Sequence, residues 1–528
     1  MFLSDSFHEN VEKLNGIFEG CADIKQLDVE LKYMNNSKGR IYFVEEAVSD
    51  ITLRKVLWGL TDVEEVEDID EMVKGVMSGN AILIIDGRTK ALKIRGTGYP
   101  GMGVSEAKDE QVIRGSSEGF SDSYKTNQVL VRKRIRCADL KIEEISAGVR
   151  TDTGIALLYM DGIVRKDILE SVKERINSFK IDGFMDSGVI EQLTSNNEWT
   201  PFPQYMTTER PDRAAQFLLN GHVVVLVDNS PIALVLPVNI GSFMKTADDY
   251  YGRWGIVTFE RILRYIAVFF AVSLPALYIS VVNFHPEILP NNLVLVFIKA
   301  RQDIPYPVFI EVILMEISFE LIREAGIRIP GAMGNAIGIV GGLIVGSAAV
   351  EASLASPIIV IIVALTALCS FTIPNNEFSS AFRLIKYFLI LLSAVYGIYG
   401  YIIGIICIML HLSGLKSYGF PYLGPVAAAE LNGRADEKDF ILRAPYQFLT
   451  RRPIFSVWSN RRKLSMDSGV DGNGTGTNRF GSDSDNNSDN INGTGSREET
   501  DNVSMRTGSS AGGNRPDRKI NKKSKGRG

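Results

Sequence analysis

Charged residues are frequent up to about residue 262 and return after residue 411, while the interval between holds long stretches without any. A helix that crosses a bilayer needs roughly 20 mainly apolar residues, because a backbone group left unpaired in lipid costs several kcal/mol. Four runs meet that need: about 265–284 (with IAVFFAVSLPALYISVV), 332–350, 352–376 (with PIIVIIVALTALCSFTIP) and 387–410 (YFLILLSAVYGIYGYIIGIICIML). Soluble domains rarely bury four such runs so close together, so the pattern predicts an all-α transmembrane bundle over 258–411. The second run repeats glycine at Gly334, Gly338, Gly342 and Gly346, a ridge that lets helix backbones approach closely. Such a ridge serves packing inside the bundle, or packing around a pore or across a subunit boundary.

The segment 305–324, PYPVFIEVILMEISFELIRE, is apolar but for a few charges. Glu316, Glu320 and Glu324 recur every four residues and share one helix face. That face borders a protein interior, a water-filled cavity or the membrane surface, never lipid. The segment is therefore re-entrant or a fifth span. Positive charge flanks the bundle, with Arg253, Arg261 and Arg264 before it and Lys416, Arg434, Lys438 and Arg443 after it. With four spans both flanks are cytoplasmic; a fifth crossing breaks that parity.

Before the bundle, the pattern alternates between strand and helix periods, and it does so twice. GNAILIIDGRTKALKI from Gly79 and GHVVVLVDNSPIALVL from Gly221 each read as a hairpin turning at Asp86-Gly87 or Asp228-Asn229. Upstream of each lies an apolar strand that leads into a helix, from Arg40 and from Ile155, and a second helix precedes each hairpin, at about 69–77 and 212–219. The order strand, helix, helix, hairpin predicts two duplicated α/β subdomains at roughly 38–100 and 150–245. Val112 to Ile135, between them, reads as a turn and a helix with a basic end, Arg132, Lys133, Arg134 and Arg136; the pattern favours a solvated linker over a subunit-contact or membrane-proximal face. The organisation expected is an extension (1–37), subdomain 1 with its linker helix (38–148), subdomain 2 (149–257), the bundle, a membrane-proximal segment (412–464) and a tail (465–528). The tail is rich in Ser, Asn, Gly, Asp and Thr and is expected to be disordered, whereas 412–463 holds enough aromatic residues to pack back.

At 528 residues the chain exceeds a single core, and its net charge of −5 averages unlike regions. The first 14 residues are charged and lack an apolar core, so no signal peptide is expected. The four cysteines (Cys21, Cys137, Cys369, Cys407) and the four histidines are scattered. Neither set has a metal-ligand spacing, and no nucleophile or acid–base constellation stands out, so no enzyme activity, cofactor or metal is expected. Gly96, Gly98 and Gly101 spell GxGxxG, but Pro100 interrupts the loop and no amphipathic helix follows to receive a pyrophosphate. The basic terminus reads as solvated, and no nucleic-acid partner is expected.

Several motifs carry a resemblance: RGSSEGFSDSYKTN (114–127), FPQYMTTERPD (202–212), DDYYGRW (248–254), HPEILP (285–290), the stretch 301–307, REAGIRIP (323–330), GFPYLGP (419–425) and the closing RAP and RRP. Over about 35–460 the chain resembles the A subunits of GerA-type spore germinant receptors of endospore-forming bacteria. Within the first two motifs the matching residues are Arg114, Gly115, Glu118, Gly119, Phe120 and Asn127, then Phe202, Pro203, Gln204, Glu209, Arg210, Pro211 and Asp212. The family more often has RGPREGF where this chain has RGSSEGF, and the long tail is not a family mark. The resemblance implies a receptor subunit in the spore inner membrane, acting with a transporter-like B subunit that holds the nutrient and a lipoprotein C subunit. It also implies an A-subunit homo-oligomer, embedded in membrane lipid, that forms a ligand-gated cation channel. A stage V AF-type sporulation channel without its own nutrient pocket shares the marks, and a structural scaffold remains the bland alternative. In a channel, Glu316, Glu320 and Glu324 form an acidic vestibule, unless Arg323 and Arg328 pair with them structurally. Val360, Ile361 and Leu365 are then candidates for apolar rings that gate by dewetting.

Overall fold

The computed structural model describes residues 2–4, 6–31, 37–48, 63–96, 106–108, 110–328, 332–426 and 438–463. The chain divides into unit 1, Met1–Met466, and unit 2, Asp467–Gly528. Unit 2, with the expected tail, lies outside the described residues, as do most of the GxGxxG loop and the helix expected after Arg40.

Helix α1 (Phe7–Ile17) leads into strands β1 (Ile24–Leu31) and β2 (Ser37–Val44), then β3 (Val63–Val66), helix α2 (Ile69–Met77) and the hairpin β4 (Ala81–Ile85) and β5 (Ala91–Ile94). After helix α3 (Tyr124–Arg132) come β6 (Leu140–Ala147), β7 (Thr153–Met160), helices α4 (Lys166–Asn177) and α5 (Ser187–Thr194), β8 (Met206–Thr208), α6 (Pro211–Leu219), β9 (Val223–Val227) and β10 (Ala233–Leu236). The two antiparallel sheets have the same strand order, β1-β2-β4-β5-β3 and β6-β7-β9-β10-β8. The duplication is therefore one of topology. Each sheet starts one strand earlier than the repeat implies, because β1 (IKQLDVEL) and β6 (LKIEEISA) are polar, half-exposed edge strands.

Both central hairpins are buried on both faces, which is why they read as unbroken apolar runs. In β9, Val224 and Leu226 face the core shared with the helical half. Val223, Val225 and Val227 face a second core beneath α4 and α5, which Ile454 and Phe455 of the C-terminal segment complete.

Helix α3 overturns the expectation of a solvated linker. Gln128 to Arg132 are all buried, and the Arg132 guanidinium donates to both Asp23 oxygens at 2.7 and 2.8 Å and to the carbonyls of Cys137 and Leu140. Its basic end is neutralised from elsewhere, since Lys133 and Arg134 both pair with Glu118.

Short helices α7 (Ile240–Phe243) and α8 (Asp248–Tyr251) precede α9 (Trp254–Phe284), followed by α10 (Asn291–Ala300), α11 (Val308–Arg328), α12 (Ala332–Glu351), α13 (Pro357–Phe371) and α14 (Asn376–Gly414). Among the described residues, α9 and α14 are long and apolar enough to cross a membrane. The α14 segment is not straight. Gly397 holds φ 59° and ψ −137°, a conformation open to glycine, and a Cβ there would lie 2.8 Å from the Phe284 ring. Phe202 touches Phe378 and Phe382 near the start of α14 and also His411 near its end. The helix therefore doubles back at Gly397, and the apolar run 387–410 belongs to a two-armed hairpin instead of one crossing.

The acidic segment is a 21-residue helix, α11, running antiparallel to the first hairpin arm: Glu316 meets Lys386, and Glu320 meets Arg383. Helix α13, 15 residues long, lies alongside α11, with its Ser356 cap at Glu311 and Phe371 beside Phe319.

Candidate functional site

The motif residues gather at two places where the α/β half meets the helices. At the first, Arg210 is buried and donates to Asp212 at 2.8 and 3.1 Å and to the carbonyls of Ser116 (2.8 Å) and Glu110 (3.2 Å). Pro211 opens α6, and Tyr251 donates to Asp212 at 2.8 Å. The amides of Ile113 and Arg114 donate to Asp248, that of Phe120 to the Glu209 carbonyl, and that of Lys108 to the Glu209 carboxylate. Gly115, at φ 134°, approaches Tyr251 so closely that a Cβ would sit 2.9 Å from its ring. Gly119 leaves no room beside the Ala107 backbone, and Asn127 clasps the Ser121 backbone through both ends of its amide. RGSSEGF, ERPD and DDYY, more than 100 residues apart at their ends, thus form one polar junction just before α9. Burial pushes the Asp212 carboxyl up, but the Arg210 and Tyr251 hydrogen bonds outweigh it and hold it below the usual carboxylate range.

The junction continues into the root of α9. Arg261, 1 % exposed, bonds Asp249 at 2.7 Å and Asp439 at 2.8 Å. Arg264 adds a second contact to Asp249, while Lys245 and the Tyr250 hydroxyl reach Asp439 at 3.0 and 2.7 Å. Asp249 is buried and Asp439 half-buried; loss of solvent raises both carboxyls, yet these cations hold both below the ordinary range.

The second place is the root of the α14 hairpin. Phe202 sits among Phe378, Phe382, His411 and Tyr422, and Thr200 Oγ1 lies 2.8 Å from His411 Nε2. Gln204 accepts from the Asn196 amide and donates to the Asn197 carbonyl, both at 2.8 Å, and Pro203 is buried beside it.

In the helical half, the glutamate ladder faces protein. Glu316 is 2 % exposed and bonds Lys386 at 2.5 Å, Glu320 pairs with Arg383, and Glu324 bonds Arg328 at 2.6 Å on the outside. Arg323 lies over the Phe371 ring at 5.0 Å. Of the glycine ridge, Gly346 packs on Val360 and Gly342 has open space beside it; the surroundings of Gly334 and Gly338 lie outside the described residues. On α13, Ile361 (66 %) and Leu365 (45 %) are exposed, and Val360 is half-buried.

A family model, the Bacillus/Clostridium GerA spore germination protein, matches residues 17–455. The chain belongs to the GerA family. It is 39% identical to spore germination protein KA of Bacillus subtilis over 384 residues, which is 73% of this chain and 70% of that protein. It is 37% identical to the uncharacterized membrane protein YfkQ of Bacillus subtilis over 475 residues, covering 85% and 91%. The crystal structure of the N-terminal domain of the A subunit of the Bacillus megaterium spore germinant receptor GerK3 aligns with 45% of this chain and 96% of that domain, at 24% identity and a TM-score of 0.36.

In this GerA-family chain, a cavity of about 720 Å³ opens beside the hairpin root, lined by Glu191, Phe202, Gln204 and Glu377. Burial, and then the negative charge of Glu377, push the Glu191 carboxyl up to about 8. A raised carboxyl is stable while protonated in the fold: its penalty is absent below the unfolded value near 4.5, grows as pH rises, and is complete above about 8. Glu191→Gln is therefore expected to raise the thermal midpoint more at pH 8.5 than at pH 5; an equal shift at both values sinks this reading. Lys386, Arg383 and Asp439 escape a reading of the sequence, since their partners lie 70, 63 and 178 residues away, whereas Asp249 sits within the DDYYGRW motif, 12 residues from Arg261. Lys386 and Arg383 do leave one trace: they are the two cations just before an uncharged run.

Proposed function

We propose that this GerA-family chain is the A subunit of a nutrient-responsive germinant receptor and assembles with copies of itself into a ligand-gated cation channel. Its setting is the spore inner membrane, beside a transporter-like B subunit and a lipoprotein C subunit. The observation that carries the reading is the direct mechanical path from the second sheet, through the Arg210–Asp212 and Arg261–Asp249 pairs, to α9. A soluble sensor and a pore need such a path if occupancy of one is to open the other. Helices α9, α11, α12, α13 and the two hairpin arms make six legs, an even number. Both basic flanks then lie on the cytoplasmic face.

In this reading α13 lines the pore, and its uncovered stripe of Ile361, Leu365 and Leu368 (66, 45 and 63 % exposed) provides the apolar rings of a closed gate. Glu320 and Glu324, the more exposed members of the ladder, stand along the cation route, and Glu316 fastens α11 to the hairpin. Liposomes holding the purified chain with its partner subunits are expected to release potassium on addition of nutrient. Leu365→Ser is expected to leak without nutrient, raising basal flux roughly tenfold, as hydration of an apolar constriction removes its barrier. A folded, assembled complex that passes no ions under either condition overturns the channel reading. The cation partners of Glu316 and Glu320 would then favour the scaffold reading, in which the ladder only binds helices together.

A further inference from the structure

The C-terminal segment 438–463 folds back over the flank of the second sheet and encloses a cavity of about 420 Å³, a size typical of small-molecule sites. Its floor is aromatic. The His222 ring lies 5.0 Å from Phe217 and 4.5 Å from Phe455. His222 Nδ1 donates to the Pro237 carbonyl at 2.7 Å, which leaves Nε2 as an acceptor, and burial holds this imidazole neutral.

The charge on the walls is lopsided. Arg213, Lys245, Lys438, Arg451 and Lys463 line the cavity against a single carboxylate, Asp439. Both Asp439 oxygens are committed, Oδ1 to Arg261 and Oδ2 to Lys245 and Tyr250, and Arg213 is committed to Glu110. The side chains of Lys438 and Arg451 form no hydrogen bond or ion pair among the described residues, and Lys463 feels the charge of Asp439 without bonding it. Lys463 is only partly exposed, and burial pushes its ammonium below the ordinary lysine value. Lys438 and Arg451 are exposed and Lys463 is half-buried, so the rim of the cavity carries an excess of positive charge above an aromatic floor that an anion would compensate.

We propose that this cavity binds a phosphate-bearing ligand, gripped by Lys438, Arg451 and Lys463, with its organic part against Phe217, His222 and Phe455. A single carboxylate would leave two of the three cations uncompensated, whereas a phosphate ester offers up to two charges and three acceptor oxygens, one pair matched to the arginine fork. Two sources supply that chemistry. One is a free phosphate ester. The other is the headgroup of an anionic phospholipid, since the Phe440 wall packs on Tyr265 at 5.4 Å, where the apolar part of α9 begins. The site stands on its own geometry and does not depend on channel activity.

The test uses the full chain in nanodiscs. Glycerol 3-phosphate, in phosphatidylcholine discs, probes the free ester by thermal shift and calorimetry. Discs that mix phosphatidylglycerol with phosphatidylcholine probe the lipid, followed by native mass spectrometry of retained lipid. Saturable binding of at least one probe is expected, weakened roughly tenfold or more in K438Q/R451Q/K463Q, where charge-assisted bonds are lost. K463R should keep most of the binding, and R462Q, at a neighbouring exposed position outside the cavity, should keep all of it. If the triple variant does not fold, K463Q and R451Q singly are each expected to weaken binding severalfold. Response to glycerol 3-phosphate assigns a soluble ester; selective retention of phosphatidylglycerol assigns the lipid. Binding of neither probe, or equal binding by the parent and the folded variants, overturns the site.

Discussion

Arg261→Met is expected to destabilise the chain by about 3–5 kcal/mol, the usual cost of removing one partner from a buried ion pair. Arg261 and Asp249 are each 1 % exposed, and Arg261 also bonds Asp439. Without the guanidinium, the buried Asp249 keeps Arg264 as its only cation and the half-buried Asp439 keeps Lys245. The amides at the root of α9 should exchange hydrogen faster while the centre of the second sheet stays protected, because the damage lies at the seam. Arg261→Lys keeps the charge but lacks a fork able to serve two carboxylates, so its loss should be intermediate. Acid should act on the same pairs. Asp249 and Asp439 titrate below their ordinary value in the fold, so their contribution is present above about pH 4 and is lost as pH falls through the lowered values. The parent should therefore lose its margin over Arg261→Met in acid. An unchanged thermal midpoint in Arg261→Met, with unchanged exchange at the α9 root, would refute the assignment of this seam.

The second large effect concerns Lys386. Lys386→Met strands Glu316, which is 2 % exposed and has no other partner among the described residues, and is expected to cost about 3–5 kcal/mol. Glu316→Leu combined with Lys386→Met removes both charges together and should recover most of that loss, since a well-packed apolar pair replaces a buried ion pair at little cost. Amount of folded protein in the membrane and midpoint in detergent are the measurements. A double variant no better than the single would mean that Lys386 supports the hairpin by some means other than this pair. The pair also gives the ladder a meaning different from an open vestibule: Glu316 acts on α14 before it acts on any ion.

How much of this could be read from residues alone depended on distance along the chain. The central hairpins AILII and VVVLV and their Asp-Gly and Asp-Asn turns are local signals, and the duplication followed from them. Strands β1 and β6 were hidden because edge strands with one wet face carry as many charges as loops do. The burial of α3 was hidden because Arg132 meets a carboxylate 109 residues away. A basic stretch looks solvated until its partner is known. Hydropathy also misled at 387–410: it reports which residues tolerate lipid, not the direction in which they travel, and only Gly397 marked the reversal. The motifs were legible as marks of a family. Their shared purpose, a junction of RGSSEGF, ERPD and DDYY at the root of α9, needed three dimensions.

The hairpin has a mechanical side. Its two arms begin and end around Phe202, so both are rooted at one place, and the rest of the hairpin follows that root together with α11 and α9, to which it is tied by Lys386, Arg383 and Tyr401. A tilt of about 10° at Phe202 would sweep a tip about 30 Å away through about 5 Å. The tip rests on Phe284, the last residue of α9, so a small rocking of the second sheet would be felt at the far end of α9.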